Sequence, residues 1–115
     1  MFKSIILSIL LLAGSTLLAD TQQEINHLLD FVGKTSCTYE RNGSMHAGPD
    51  AKEHITKKYD YYKEKIKTSE DFIRYSATKS ELSGKKYQVH CPGKATQYSS
   101  DWLLTELKAY RKAHP

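Results

Sequence analysis

Apolar residues along the chain fall into separate helical and alternating rhythms. Ile25, Leu28, Leu29 and Val32 lie at i, i+3, i+4 and i+7, one stripe of a helix. Thr21 and Glu24 stand ahead of it at capping-box spacing, and Gly33 follows where a left-handed residue commonly ends a helix. The pattern predicts a first helix over residues 22–32. Residues 36–41 are rich in β-compatible side chains and stop at Asn42-Gly43, which predicts a short strand entering a turn, with a loop over 43–49.

After Pro49, the residues Ala51, Ile55, Tyr59, Tyr62 and Ile66 project within about 80° of one another at about 100° per residue. That predicts a long helix with one buried stripe and a solvated side bearing Lys52, Glu53, Lys57 and Asp60. Thr68 to Asp71 offers a second cap, ahead of a short helix that buries Phe72, Ile73 and Ala77. Residues 87–91 alternate like a strand closed by Pro92-Gly93, and Ser99 or Ser100 caps a last helix carrying Trp102, Leu103, Leu107 and Tyr110. The order helix, strand, helix, helix, strand, helix predicts a small, mostly helical α+β domain in which two strands pair as an antiparallel ribbon.

Residues 1–19 obey a different rule. Lys3, an apolar run from Ile5 to Leu12, then Gly14, Ser15 and Ala19 before the polar Asp20 form the layout of a secretory signal peptide, although Leu17 is larger than usual three residues before a cut. Its unbroken apolar core is far shorter than the roughly 20 residues of a membrane span. The expectation is a cleaved signal over residues 1–19, one domain over residues 20–115, and no stable membrane insertion after cleavage.

Composition changes the picture of the remainder. Residues 20–115 hold only fourteen Leu, Ile, Val and Phe, a level at which chains begin to look disordered. Disorder also needs a large net charge, and the formal +4 of the whole sequence falls to +3 without Lys3. Eight Tyr, one Trp and two Cys must make up the deficit. Cys37 and Cys91 are an even pair in an exported chain, which predicts a disulfide, and closing such a loop is worth about 4 kcal/mol in the chain-entropy model. The antiparallel ribbon agrees, because it brings Cys37 near the start of one strand level with Cys91 at the end of the other. This length excludes a multidomain enzyme, a coiled-coil rod and a polytopic membrane protein.

Candidate chemistry is sparse. None of the five histidines is spaced i, i+4 from another and no H-E-x-x-H occurs, so no metal or cofactor is expected. No serine lies in a G-x-S-x-G elbow, and the adjacent acids Glu70-Asp71 suit a helix start, so no catalytic residue is assigned. The lysines and tyrosines of residues 52–67 read as a solvated helix face and not as a nucleic-acid surface. Lys58 is different. It projects within about 20° of Ala51, at the edge of the apolar stripe, with His54 four residues before it, and a lysine so placed must snorkel, pair or line a pocket. Arg41-Asn42-Gly43 leaves the first strand and Ser83-Gly84-Lys85-Lys86-Tyr87 enters the second, so pairing puts both segments at one end of the ribbon, where converging donors can hold an anion. The candidate binding set is Arg41, Asn42, His54, Lys58, Ser83, Lys85 and Tyr87. The plainer alternative is that these residues satisfy their own turns and that His54 is a flanking residue.

Taken together, these segments resemble the YfeK-like family of small exported bacterial proteins of unknown function. The residues that carry the likeness are Cys37, Tyr39 and Arg41-Asn42-Gly43, then Ala51, His54 and Lys58-Tyr59, then Glu70-Asp71-Phe72-Ile73, the segment from Ser83 to Cys91, and Trp102-Leu103. Lys86, Glu81 and Met45-His46 depart from its pattern. The resemblance implies a periplasmic location and this scaffold, and it brings no activity. The expectation is a non-enzymatic periplasmic binding or interaction domain for an unknown envelope protein or anionic ligand. The alternative is a small envelope hydrolase or inhibitor using His54, Lys58 and Arg41, for which a general base would need an oriented partner.

Overall fold

The computed structural model describes residues 20–115. Helix α1 covers residues 20–34. Strands β1 (Thr38–Arg41) and β2 (Ser44–His46) follow, then α2 (Gly48–Tyr61), a 3-10 turn at Lys63–Lys65, α3 (Ser69–Ser76), β3 (Gln88–His90), β4 (Gln97–Tyr98) and α4 (Ser99–Ala113). The α+β class is as expected. The sheet, however, has four antiparallel strands in the order β2-β1-β3-β4 and not two. Asn42 and Gly43, both at positive φ (53° and 80°), make a tight turn that folds β2 back on β1. The two-residue β4 pairs with β3 just before α4 begins. The signal segment proposed for residues 1–19 lies outside the described residues.

One face of the sheet meets the helices. Tyr39 pairs with both His46 and Val89, so all three share that face, and Arg41 and Tyr87 join it by the two-residue alternation of strands. Against it pack Ile25, Leu28 and Val32 of α1, Ala51 and Ile55 of α2, Phe72 and Ile73 of α3, and Trp102, Leu103 and Leu107 of α4. The aliphatic deficit is met by aromatics: Tyr39 and Tyr87 are fully buried with ring centroids 5.6 Å apart. The Cys37–Cys91 disulfide joins the segment before β1 to the residue after β3.

Helix ends are set by specific contacts. Thr68 caps α3 through the reciprocal pair Asp71 N–H to Thr68 Oγ1 (3.0 Å) and Thr68 N–H to Asp71 Oδ2 (3.2 Å). Gly48 opens α2 against the end of α1, and a Cβ there would lie 2.5 Å from the Val32 carbonyl oxygen. The cap expected at Thr21 is not a helix start, since α1 already runs at residue 20. Glu24 instead accepts hydrogen bonds from Ser69 (2.6 Å) and Arg111 (2.9 and 3.0 Å), and Arg111 also donates to Glu70. Helix α2 stops at Tyr61, short of the expected Ile66, because Tyr62 stacks on Tyr75 of α3 (5.5 Å) and the backbone turns towards that helix. Tyr110 stacks between His27 and His114 at the surface and does not enter the core.

Candidate functional site

Three polar side chains meet where α2 crosses the β1–β3 end of the sheet. His54 and Lys58 are four residues apart on α2 and so share one side of it. Tyr87, just before β3, rises from the helix-facing side of the sheet between them. Its hydroxyl lies 3.2 Å from His54 Nε2 and 3.2 Å from Lys58 Nζ, and that ammonium also sits over the Tyr87 ring at 5.1 Å. Lys58 donates to the Lys79 carbonyl at 2.7 Å and pairs with Glu81 at 3.5 Å. Its side chain is only 12 % exposed, so this lysine is drawn in to satisfy partners and does not reach for solvent.

The electrostatics of the cluster are one-sided. Burial pushes His54 down to about 4, helped by the charges of Arg41, Lys58, His46 and Lys57, so at neutral pH the imidazole is uncharged. Burial likewise lowers Lys58, opposed by Glu81, and raises the Tyr87 phenol, opposed by Arg41. Arg41 therefore acts on all three groups, as its register across from Tyr87 requires. His46, opposite Tyr39 in the same sheet face, adds a buried Nε2 without a hydrogen-bond partner among the described residues.

The other candidates divide. Asn42 donates to Ser80 Oγ (3.2 Å) and accepts from Ser83 Oγ (2.5 Å), so the β1–β2 turn and the turn at residues 80–85 clasp each other at the rim of the cluster. Lys85 is not brought in. It lines a cavity of about 240 Å³ with Glu40, Gln88 and Tyr98, on the sheet face turned away from the helices. Sequence reasoning left His46 unassigned, although the Asn-Gly turn signals the hairpin that carries it. It also missed Glu81 as the partner of Lys58, for which no spacing rule exists.

A second arrangement lies on the outer sheet face. His90 Nε2 is 2.6 Å from Glu40 Oε1 and His90 Nδ1 is 2.9 Å from Thr96 Oγ1. This ties the β3–β4 loop to β1 and fixes the direction in which the imidazole hydrogen bonds.

Fold and stapling define a small disulfide-linked α+β domain in which His54 and Lys58 meet Tyr87 where α2 meets the sheet. By its sequence the chain belongs to the DUF5329 family of unknown function, whose model matches residues 19–111. No curated protein and no solved structure matches it. The family match carries neither the YfeK-like name nor a cell compartment. The disulfide is compatible with export, and among the described residues no helix is long and apolar enough to cross a membrane.

Proposed function

We propose that this chain is an exported, periplasmic, non-enzymatic binding domain that recognises an anionic group at Arg41, His54 and Lys58. The observation that carries the reading is the meeting of His54 and Lys58 at the Tyr87 hydroxyl, with the charge of Arg41 acting on all three and Glu81 paired with Lys58. The positive charge of Arg41, which reaches His54, Lys58 and Tyr87, favours an incoming carboxylate, sulfate or phosphate. The clasp of Asn42 with Ser80 and Ser83 fixes the two turns beside the cluster before any ligand arrives, which lowers the cost of binding. Among the described residues His54 meets a hydroxyl and cationic neighbours and no orienting carboxylate, which favours binding over general-base catalysis. The signal-like residues 1–19, the disulfide and the YfeK-like resemblance all support export.

Sulfate is a suitable first probe because its charge is constant over the working pH range. Titration followed by imidazole NMR should move the His54 resonances before those of His27 and His90, and Arg41→Gln with Lys58→Met should abolish the movement. Uniform small shifts at every histidine would leave no site to defend. For export, the released protein should begin at Asp20, and recovery of full-length chain from the cytosol alone would contradict the compartment.

A further inference from the structure

Between α3 and β3, residues 78–87 form a hairpin-like finger. Tyr87 N–H donates to the Thr78 carbonyl (3.0 Å), Lys79 and Lys86 face each other in an antiparallel bridge, and Ser80 N–H donates to the Lys85 carbonyl (3.0 Å). Gly84, at positive φ (72°), closes the turn by donating its N–H to the Ser80 carbonyl (2.9 Å). Asn42 holds Ser80 and Ser83 from the β1–β2 turn, and Lys58 supports the base of the finger at the Lys79 carbonyl. The finger is therefore fixed from within and from two neighbouring elements.

Leu82 stands at its apex and is 99 % exposed, more than any other large apolar side chain described. Turn chemistry does not call for a leucine there, because Ser80, Ser83 and Gly84 supply the turn's bonds and its positive φ. Packing does not call for it either. The charge around it is unbalanced: Lys79, Lys85 and Lys86 are all exposed, and the finger's one acid, Glu81, pairs with Lys58. Like charges directly opposite in an antiparallel pair destabilise it, so the Lys79–Lys86 bridge works against the fold. The Lys86 ammonium also lies 4.9 Å over the ring of Tyr98, which is 45 % exposed.

We propose that this finger docks the protein reversibly on an anionic phospholipid surface, with Leu82 entering the boundary of headgroups and acyl chains and Lys79, Lys85 and Lys86 among the headgroups. Lys85 is at the first paired position behind the apex and Lys79 and Lys86 at the second, about 3.4 Å further back. Their flexible stems carry the ammoniums to the depth of the tip. An anionic layer relieves the repulsion across the Lys79–Lys86 bridge, and Tyr98 is a ring of the kind that settles at headgroup depth. A protein partner fits less well, because protein interfaces are depleted in lysine. One aliphatic side chain anchors weakly, so docking depends on charge and is screened by salt. The inference is independent of the anion site at Arg41, His54 and Lys58.

The test is co-sedimentation of the processed, disulfide-intact protein with vesicles of phosphatidylcholine alone or mixed equally with phosphatidylglycerol. Binding should appear on the mixed vesicles only and fade as salt is raised. Leu82→Ser should weaken it about tenfold, and Lys85→Gln with Lys86→Gln about twentyfold. The melting temperature of Leu82→Ser should be unchanged, because that side chain packs on nothing in the domain. In Leu82→Trp the added fluorescence should shift to the blue on the mixed vesicles. Binding without that shift, or equal binding by Leu82→Ser, would remove the finger as the docking element. Equal binding to phosphatidylcholine alone would overturn the anionic surface. No binding to either vesicle would overturn the proposal, and Leu82-dependent capture of an envelope protein would then assign the finger to a protein partner.

Discussion

Tyr39 and Ser99 lie sixty positions apart in sequence, yet their hydroxyls meet at 2.8 Å in the interior, with Tyr39 2 % and Ser99 0 % exposed. The bond joins the middle of β1 to the first residue of α4. Burial raises the Tyr39 phenol well above its ordinary value despite the hydrogen bond from Ser99, so it stays neutral throughout the working pH range. Replacing Tyr39 by Phe strips Ser99 of this partner in a dry environment, which costs about 1–3 kcal/mol. Urea denaturation should show that loss in Tyr39→Phe and partial recovery in Tyr39→Phe with Ser99→Ala. An unchanged midpoint in the single variant would mean that the bond contributes nothing.

The disulfide should matter more than any one hydrogen bond. Reduction frees a loop whose ends are 54 residues apart, and the expected loss is about 2–4 kcal/mol. Denaturation with and without reductant measures it directly. A reduced protein as stable as the oxidised one would show that the aromatic core suffices alone.

Acid should loosen the clamp made by Arg111. Its guanidinium holds both Glu24 and Glu70 below the usual carboxylate range, chiefly through the hydrogen bonds it donates. Depressed carboxylates stabilise the fold above their unfolded pKa, and that contribution disappears as pH falls through the folded value. Solvent screens the pair with Glu70, which is half exposed, so Arg111→Ala should cost only about 1 kcal/mol at pH 7. That corresponds to a melting temperature lower by about 4–8 °C. The difference from wild type should shrink towards pH 3, and a constant difference across pH would rule out the ionic origin.

His54 gives stability a second, separate pH dependence. Burial, then Arg41, Lys58, His46 and Lys57, bring it from 6.5 to about 4, while Glu81 is the carboxylate paired with neighbouring Lys58. Between those two values the unfolded chain carries the extra proton, so stability falls as pH drops from 6.5 towards 4. His54→Gln should flatten that limb of the profile. A bound anion stabilises the imidazolium, so sulfate affinity of the wild type should rise between pH 7.5 and 5.5 and that of His54→Gln should not. Identical pH profiles for the two proteins would remove His54 from the site.

Gly48 is a steric requirement. Its Cα faces the Val32 and Gly33 carbonyls at the end of α1, and an added Cβ would lie 2.5 and 3.0 Å from their oxygens. Gly48→Ala should destabilise by about 1–3 kcal/mol, despite alanine being the better helix former. A variant as stable as wild type would show that the two helices separate freely.

The helices and the two inner strands were legible because each carries its own periodicity, and the cysteines were legible because they were an even pair. The outer strands were not. Ser44-Met45-His46 and Gln97-Tyr98 are too short to show alternation, and their pairing is decided by β1 and β3. The Asn42-Gly43 turn was seen as the end of a strand, although positive φ at both residues is what folds a hairpin back. The meeting of His54 and Lys58 with Tyr87 follows from the antiparallel register and the helical spacing. The departure of Lys85 does not, because it depends on how the turn at residues 80–85 closes, through the Ser80 N–H to Lys85 carbonyl and Gly84 N–H to Ser80 carbonyl bonds.

Trp102, Leu103, Leu107 and Arg111 all sit on α4, which is the last described element to leave the ribosome. A growing chain therefore holds β1 and α1 with no wall to close against, Ser99 is not yet present to meet Tyr39, and Glu24 waits for its guanidinium. The core is closed only when this helix is in place. Cys37 and Cys91 are brought level with each other by the same pairing of β1 with β3 that this helix covers.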